Sequence, residues 1–460
     1  NINSKLTKTS SAFINYFDRR WWRENDIFIL ASDLDQENPS AANYYDPYDL
    51  VRVGNGQDSF GILRTFYVTG YEQSYRLKHL FIGKKSNLEI GARIYWERFI
   101  DDKKQGSAPD SRDGIYFIPA ASDEETPVVV GQSHHYETMA FSAFLLESID
   151  FGSFNLRPGL RFEVFEQERV DRLAGSTYLD KTTSVLLPGI GFIGKLGELT
   201  IFGGVHRGFT PPSSGALKVT NFVLDAGLDL KAEKSWNKEL GIRSQSSSFI
   251  DYEISFFHVD IEDMVAAGRG TAFTNLGKIS TSGTELNSVF NLSNSSKIHI
   301  THTYLKTTID EGRLKPYNFM SSAADISIKN NELPYSPEHI LIIGLEQNLF
   351  KNIILRFDYK YVSEVYTDFH NIDDQFIIEN GLTNNLGIMG TVPSYNTMNF
   401  SLNYDATEKI SINIIGKNIM DEIYIGSRLH SNPGQKQANI SSGIIPGNRR
   451  QINFGINYKF

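Results

Sequence analysis

The sequence has no cysteine, which removes a disulfide framework, thiolate nucleophiles and thiolate metal sites. It has no apolar run near the ~18 residues that a membrane-spanning helix requires, so a helical inner-membrane protein is not expected. It lacks a cationic excess: 45 Lys and Arg stand against 54 Asp and Glu, a formal net charge of -9, which argues against a nucleic-acid partner. No G-x-S-x-G elbow and no H-E-x-x-H helix occurs, so nothing favours a hydrolase, and no enzymatic role is expected. The polar start, Asn1 to Lys8, is not followed by the apolar core of a signal peptide. An exported protein with this sequence is therefore expected to begin after processing, or mid-chain.

What is present is alternation. In the last eleven residues Ile452, Phe454, Ile456, Tyr458 and Phe460 fall on one parity, and Gln451, Asn453, Asn457 and Lys459 on the other. A strand sends successive side chains to opposite faces, so this segment has one apolar and one polar face. Its length suits a tilted strand crossing a bilayer. The same pattern recurs in Tyr395 to Asp405 and in Ile353 to Tyr361, where Arg356, Asp358 and Lys360 oppose Leu355, Phe357 and Tyr359. Burying those charges in a protein core is costly, whereas a water-filled or plug-filled barrel accepts them. The 22 Tyr and 31 Phe suit interfacial girdles, and would also suit a large soluble β-protein.

Connections alternate too. Short polar turns near 83–87, 150–153, 194–197, 245–248, 291–296, 348–352 and 405–408 separate long loops near 19–62, 101–132, 167–182, 210–232, 265–272, 309–337, 367–393 and 423–449. Short turns on one side and long loops on the other mark an antiparallel transmembrane β-barrel. About sixteen strands are expected, centred near 10, 73, 93, 140, 160, 188, 204, 240, 257, 281, 301, 344, 358, 400, 413 and 455. Residues 1–460 read as a single all-β barrel region. The first strand starts on the short-turn side and the last strand ends there, so the strand number is even.

Four segments, in order, resemble the TonB-dependent outer-membrane receptors. Leu187-Pro-Gly-Ile-Gly followed by Phe202 to Ser213 is similar to the strand pair leading to a GF-x-PPS loop. Leu230 to Arg243 resembles L-x-PE-x-S-x-N-x-ELG-x-R, with Ala232 where Pro is usual. Asn275 to Leu286 resembles N-x-G-x-x-x-x-x-G-x-EL, and Lys417 to Tyr424 resembles N-x-FD-x-x-Y. Val205 to Phe209, Tyr424 to Arg428 and Gly443 to Arg449 look like the ferric dicitrate branch, and Tyr16 to Trp22 and Leu88 to Glu97 are consistent with it. The resemblance implies a barrel of about twenty-two strands with an N-terminal plug and a TonB-contacting segment. None of these is visible ahead of Asn1, so the chain is expected to be the C-terminal part of a receptor, about six strands short.

Candidate binding groups are the cationic and aromatic residues at strand outer ends: Arg19, Arg20 and Trp22, with Trp21 between them; His206 and Arg207; Arg428 and His430. Facing inward, guanidinium groups would pair bidentately with the carboxylates of an anionic iron chelate. Facing outward, Arg and Trp would anchor the headgroup interface or bind lipopolysaccharide phosphates. Gly189-Ile-Gly-Phe-Ile-Gly194 fits G-x-G-x-x-G, but a turn into another strand follows where a helix is needed, so a dinucleotide site is not expected. His134 and His135 have no third ligand at a diagnostic spacing, and no metal site is assigned. Asp110, Asp113, Asp123, Glu124 and Glu125, and likewise Asp33, Asp35 and Glu37, read as solvated acidic loops, with loop calcium as the alternative.

What the resemblance implies is a monomeric outer-membrane receptor that imports a ferric siderophore or ferric citrate, powered through TonB, with no cofactor beyond the transported chelate. A self-contained sixteen-stranded porin is the alternative on strand count. A glycan or peptide importer with a surface lipoprotein would use the same barrel.

Overall fold

The computed structural model describes residues 2–23, 26–30, 50–54, 60–106, 111–112, 115–116, 133–172, 175–212, 230–244, 249–266, 274–314, 325–350, 352–372, 377–378, 382–383, 390–429 and 443–460. Among these there are sixteen strands of eight residues or more. They are β1 (Leu6–Arg23), β2 (Phe60–Phe81), β3 (Lys84–Gln105), β4 (Ser133–Asp150), β5 (Phe154–Asp171), β6 (Ser176–Leu196), β7 (Leu199–Thr210) and β8 (Glu233–Ser244). The remainder are β9 (Ile250–Glu262), β10 (Lys278–Ser293), β11 (Ser296–Glu311), β12 (His339–Leu349), β13 (Ile353–Val362), β14 (Tyr395–Asp405), β15 (Ile410–Lys417) and β16 (Gln451–Tyr458). Each expected centre falls inside one of them, in order. No helix is present among the described residues.

The chain forms two compact units, and β2 to β6 contribute residues to both. One comprises Asn1–Tyr75, Ile90–Phe144 and Phe162–Val185. In it β1 lies beside β2, with Phe17 5.8 Å from Phe66 and Tyr16 5.3 Å from Tyr67. A ring stack then crosses the strands, Phe66 to Phe99 at 4.6 Å and Phe99 to Tyr136 at 5.4 Å. The Arg64 guanidinium sits 5.6 Å from the Phe99 ring and pairs with the buried Asp101 at 2.9 Å.

The other unit comprises Arg76–Glu89, Leu145–Arg161 and Leu186–Phe460. In it the end of β6 and all of β7 to β16 form an antiparallel meander, each strand bonded to the next in the chain. The registers carry one parity across the sheet. Val205, Leu240, Phe256, Leu286, Ile300, Ile343, Phe357, Phe400, Ile414 and Phe454 share a face, and Phe256 and Phe454 are more than half exposed. An apolar band left exposed is what a lipid-facing surface requires. The opposite face carries Glu239, Glu285, His299, Arg356, Asp358, Lys360, Asn403 and Asn453.

Short connections join the strands near the expected turns, with Gly83, Gly152 and Gly197 at positive φ and Phe350 at 61°; the turn expected at 245–248 lies outside the described residues. Four of the long ones begin later than the sequence reading placed them. Strands β1, β3, β5 and β11 run to residues 23, 105, 171 and 311, beyond the expected loop starts at 19, 101, 167 and 309. Short ribbons lie inside stretches read as loop: Asp26–Leu30 with Leu50–Gly54, and Ile425–Leu429 with Gly443–Pro446. Past the apolar band no lipid requires an apolar side chain at every second position, so the alternation that marks a strand disappears.

This unit has a small dry core at the outer ends of the strands. Ala266, Leu276, Ile279, Ile309, Leu314 and Ile328 are buried together, flanked by Ile261, Met264, Leu333 and Phe369.

Candidate functional site

The polar face of the second unit holds a cavity of about 580 Å³ lined by residues of β5 to β10. Phe202, Gly204 and His206 on β7, Asn237 and Glu239 on β8, Phe257 on β9 and Glu285 on β10 surround it, with Arg157 at its edge. All but Arg157 are tied to one face by register: Gly204 opposes Glu239, His206 opposes Asn237, and Glu239 opposes Phe257. Gly204 makes the floor possible. A Cβ there would stand 3.0 Å from the Ile190 carbonyl oxygen, so the backbones of β6 and β7 meet without side chains between them. Glu239 and Glu285 are exposed and have no hydrogen-bond or ion-pair partner among the described residues. Two free carboxylates and an imidazole on a glycine floor suit a cationic or hydrogen-bond-donating group. The sequence reading weighed cations and missed these acids; their signal was the Glu239-Leu-Gly and Thr284-Glu-Leu motifs, quoted then only for resemblance.

The structure distributes the sequence candidates over both faces. His206 is on the polar face. Arg207, the next residue, is on the apolar face, its guanidinium 5.8 Å from the Trp236 ring. In the other unit, Arg19 shares the parity of Phe13 and Phe17, whose rings meet Arg93 and Phe66. Arg20 pairs with Asp18 at 2.9 Å, and Asp18 accepts a bond from Thr65 at 3.1 Å, on the parity of Tyr16 and the exposed Ile14. Trp22 shares that parity and lies over Gly61.

Arg428 stands apart. It is 3% exposed, its Nε donates to the Thr391 carbonyl at 2.8 Å, and its backbone exchanges hydrogen bonds with the Tyr335 hydroxyl. It holds together segments 335, 391 and 428, which come from three different connections. His430 lies outside the described residues, as do Asp33, Asp35, Glu37, Asp110, Asp113, Asp123, Glu124 and Glu125.

The remaining sequence motifs resolve simply. Gly189 to Gly194 is strand, continuing through Gly197 into β7. His134 and His135 are consecutive on β4 and so point to opposite faces. No group of three or more His, Asp or Glu suited to a metal occurs among the described residues.

The motif residues behind the resemblance close the strand ends. Glu233 Oε1 accepts from the Val265 amide at 2.8 Å. Asn275 accepts from the Lys231 amide at 2.8 Å and donates to the Lys231 and Asp263 carbonyls at 3.1 and 2.7 Å. Asn418 and Asp421 have φ of 44° and 56°, a region that Asn and Asp tolerate better than most residues. Asn418 donates to the Glu422 and Asn448 carbonyls at 2.9 and 2.8 Å. Asp421 accepts from Arg449 Nε and Nη2 at 2.9 and 2.7 Å and from the Arg450 amide at 3.0 Å. These bonds hold its carboxyl well below the ordinary carboxylate range.

Strands with one lipid-facing and one polar face, short turns and long tied loops define an outer-membrane β-barrel. Residues 3–419 match the family described as "TonB dependent receptor-like, beta-barrel", and the chain belongs to it. It is accordingly an outer-membrane β-barrel protein. A relative named "Probable TonB-dependent siderophore receptor PirA", from Acinetobacter baumannii, is 24% identical over 76% of this chain and 47% of its own length. The unliganded ferric citrate transporter FecA is similar in fold over 100% of this chain and 60% of its own, with TM-score 0.71 and 16% identity. The siderophore receptor PiuA of Acinetobacter baumannii is similar over 100% and 63%, with TM-score 0.67 and 14% identity. The chain spans about half to two-thirds of the length of these relatives.

Proposed function

We propose that this chain is the barrel part of a receptor that binds a ferric chelate, a siderophore or ferric citrate, and imports it with energy relayed through TonB. The observation that carries this reading is the polar face. Its Glu239 and Glu285, which have no partner among the described residues, and Lys360 beside the Arg356–Asp358 pair are groups that a lumen filled by another polypeptide segment would satisfy. The cavity at His206 and Glu239 is where such a segment, or the chelate it releases, meets the wall. Arg19 and His206 are the ligand candidates; Arg20, Trp22 and Arg207 face lipid and lipopolysaccharide; Arg428 orders the loops that capture ligand. The work is binding and gated passage without covalent chemistry, by a monomer that needs no resident cofactor.

The test is uptake of radiolabelled iron, as ferric citrate and as ferric siderophores, by iron-starved cells carrying or lacking the full gene. Uptake of one chelate that is abolished by a protonophore and by loss of TonB supports the reading. A large constitutive conductance in planar bilayers with no energised uptake overturns it in favour of a porin.

A further inference from the structure

The unit that contains β1 has a polar face of its own, defined by parity. On β3, Arg93, Glu97 and the buried Asp101 take the parity opposite to the exposed Ile90 and Ile94. On β4, Tyr136 takes the parity opposite to the exposed Met139 and Phe141. Charged side chains within a membrane strand turn away from lipid, so the first set marks the inner face. Ring contacts carry that face onto β1. The Arg93 guanidinium lies 5.2 Å from the Phe13 ring, and Phe17 lies 5.8 Å from Phe66, whose ring stacks on Phe99. Phe13, Phe17, Arg19 and Trp21 fall on one parity and share this face.

Phe17, Arg19 and Trp21 thus form an aromatic–cation–aromatic row near the outer end of β1, with about 7 Å between neighbours. All three are exposed, and the guanidinium lies 5.9 Å from the Trp21 ring. It has no hydrogen-bond or ion-pair partner among the described residues. The other guanidinium groups of this face are already committed. Arg64 pairs with Asp101 at 2.9 Å. Arg93 is held between the Phe13 and Tyr95 rings, 5.2 and 5.0 Å away. Arg169 is buried against the Tyr136 ring. Behind Phe17, the rings of Phe66, Phe99 and Tyr136 continue into a buried base that fixes its position.

We propose that Phe17, Arg19 and Trp21 set specificity, and that they select a ferric complex with aryl ligands, catecholate or phenolate, over ferric citrate. This rests on the reading of the chain as a ferric-chelate receptor and narrows it. Citrate presents carboxylates and no ring, and calls for several open guanidinium groups in bidentate pairs. This face offers one, set between two exposed rings. An aryl complex matches both parts: its rings stack on Phe17 and Trp21, and its phenolate oxygens accept from Arg19.

The experiment uses the full-length receptor purified from outer membranes, and calorimetry with a ferric tris-catecholate, a ferric trihydroxamate and ferric dicitrate as probes. The expected result is one saturable site that takes the tris-catecholate at least about tenfold more tightly than either of the others. R19A and W21A should each weaken that binding about tenfold, and W21F, which keeps a ring, should recover part of it. I14A, on the opposite parity, should change nothing. R19Q and W21L provide a second pair if an alanine variant loses the heat-modifiable gel migration of a folded barrel. Ferric dicitrate or the trihydroxamate bound as tightly as the tris-catecholate would leave the receptor reading standing and overturn this proposal. Tris-catecholate affinity unchanged in both R19A and W21A would overturn it too, and would give this face to another segment of the receptor. Binding of none of the probes would overturn the receptor reading and the proposal with it.

Discussion

At the scale of single residues, side chains that replace missing backbone partners hold the strand ends. Asn275 fills three such roles with one amide, bonding both polar groups of Lys231 and the Asp263 carbonyl. Asn275→Ala leaves all three without this partner, at about 1–3 kcal/mol for each that water does not reach. The expected outcome is faster hydrogen exchange in residues 263–277, with the strands below unchanged. Unchanged exchange there would deny Asn275 its role. Asp421 predicts a pH dependence. Its folded-state pKa lies below the ordinary value because Arg449 and the Arg450 amide bind the carboxylate. A depressed pKa contributes stability that is present above the unfolded value of about 3.9 and lost as pH falls through the folded value. Exchange at residues 447–450 should therefore stay slow at neutral pH and rise only below about pH 4. In Asp421→Asn it should be fast throughout. A parent protein whose exchange rises between pH 5 and 7 would contradict this.

Strands and connections behave as separate layers. The sixteen long strands were legible because lipid demands an apolar side chain at every second position, which leaves an unmistakable period of two. Their outer ends and the short ribbons were not, because beyond the lipid nothing forces one face to be apolar. The site was legible in the same uneven way. A strand's outer end can be read from sequence, but Arg19 and Arg20, or His206 and Arg207, fall on opposite faces. Only parity anchored by a register tells which member faces lipid. Arg428 gave no sign of burial, since its partners Thr391 and Tyr335 are far away in sequence. The outer core gives this layering a test. Ile309 is 0% exposed and packs among residues of three connections. Ile309→Ala removes a buried side chain, at a typical loss of about 2–5 kcal/mol. The loss should fall on the connections: limited proteolysis near 312–338 should speed up, while the strands keep their protection. Global unfolding, or no change in cleavage, would show that the core and sheet are not separable.

For the whole molecule, the face that a residue occupies should matter more than its identity. Asn453 and Phe454 are neighbours on β16, a strand built of alternating Asn or Gly and apolar side chains. Phe454 is 65% exposed on the apolar face, opposite Ile414, while Asn453 opposes Ile415 on the polar face. In water the two would accept arginine about equally. In a bilayer they should not. Phe454→Arg puts a guanidinium in the lipid band, which costs about 2–4 kcal/mol near the midplane, whereas Asn453→Arg adds a cation to a wall that already carries Arg356 and Lys360. Urea-dependent folding into phospholipid vesicles measures both. The expected result is a loss of that size for Phe454→Arg and under about 1 kcal/mol for Asn453→Arg. Equal losses, or a greater loss for Asn453→Arg, would mean that the assignment of faces is inverted. The inner-wall reading of Glu239 and Glu285 would then fail with it, since all three rest on one continuous register from β8 to β16.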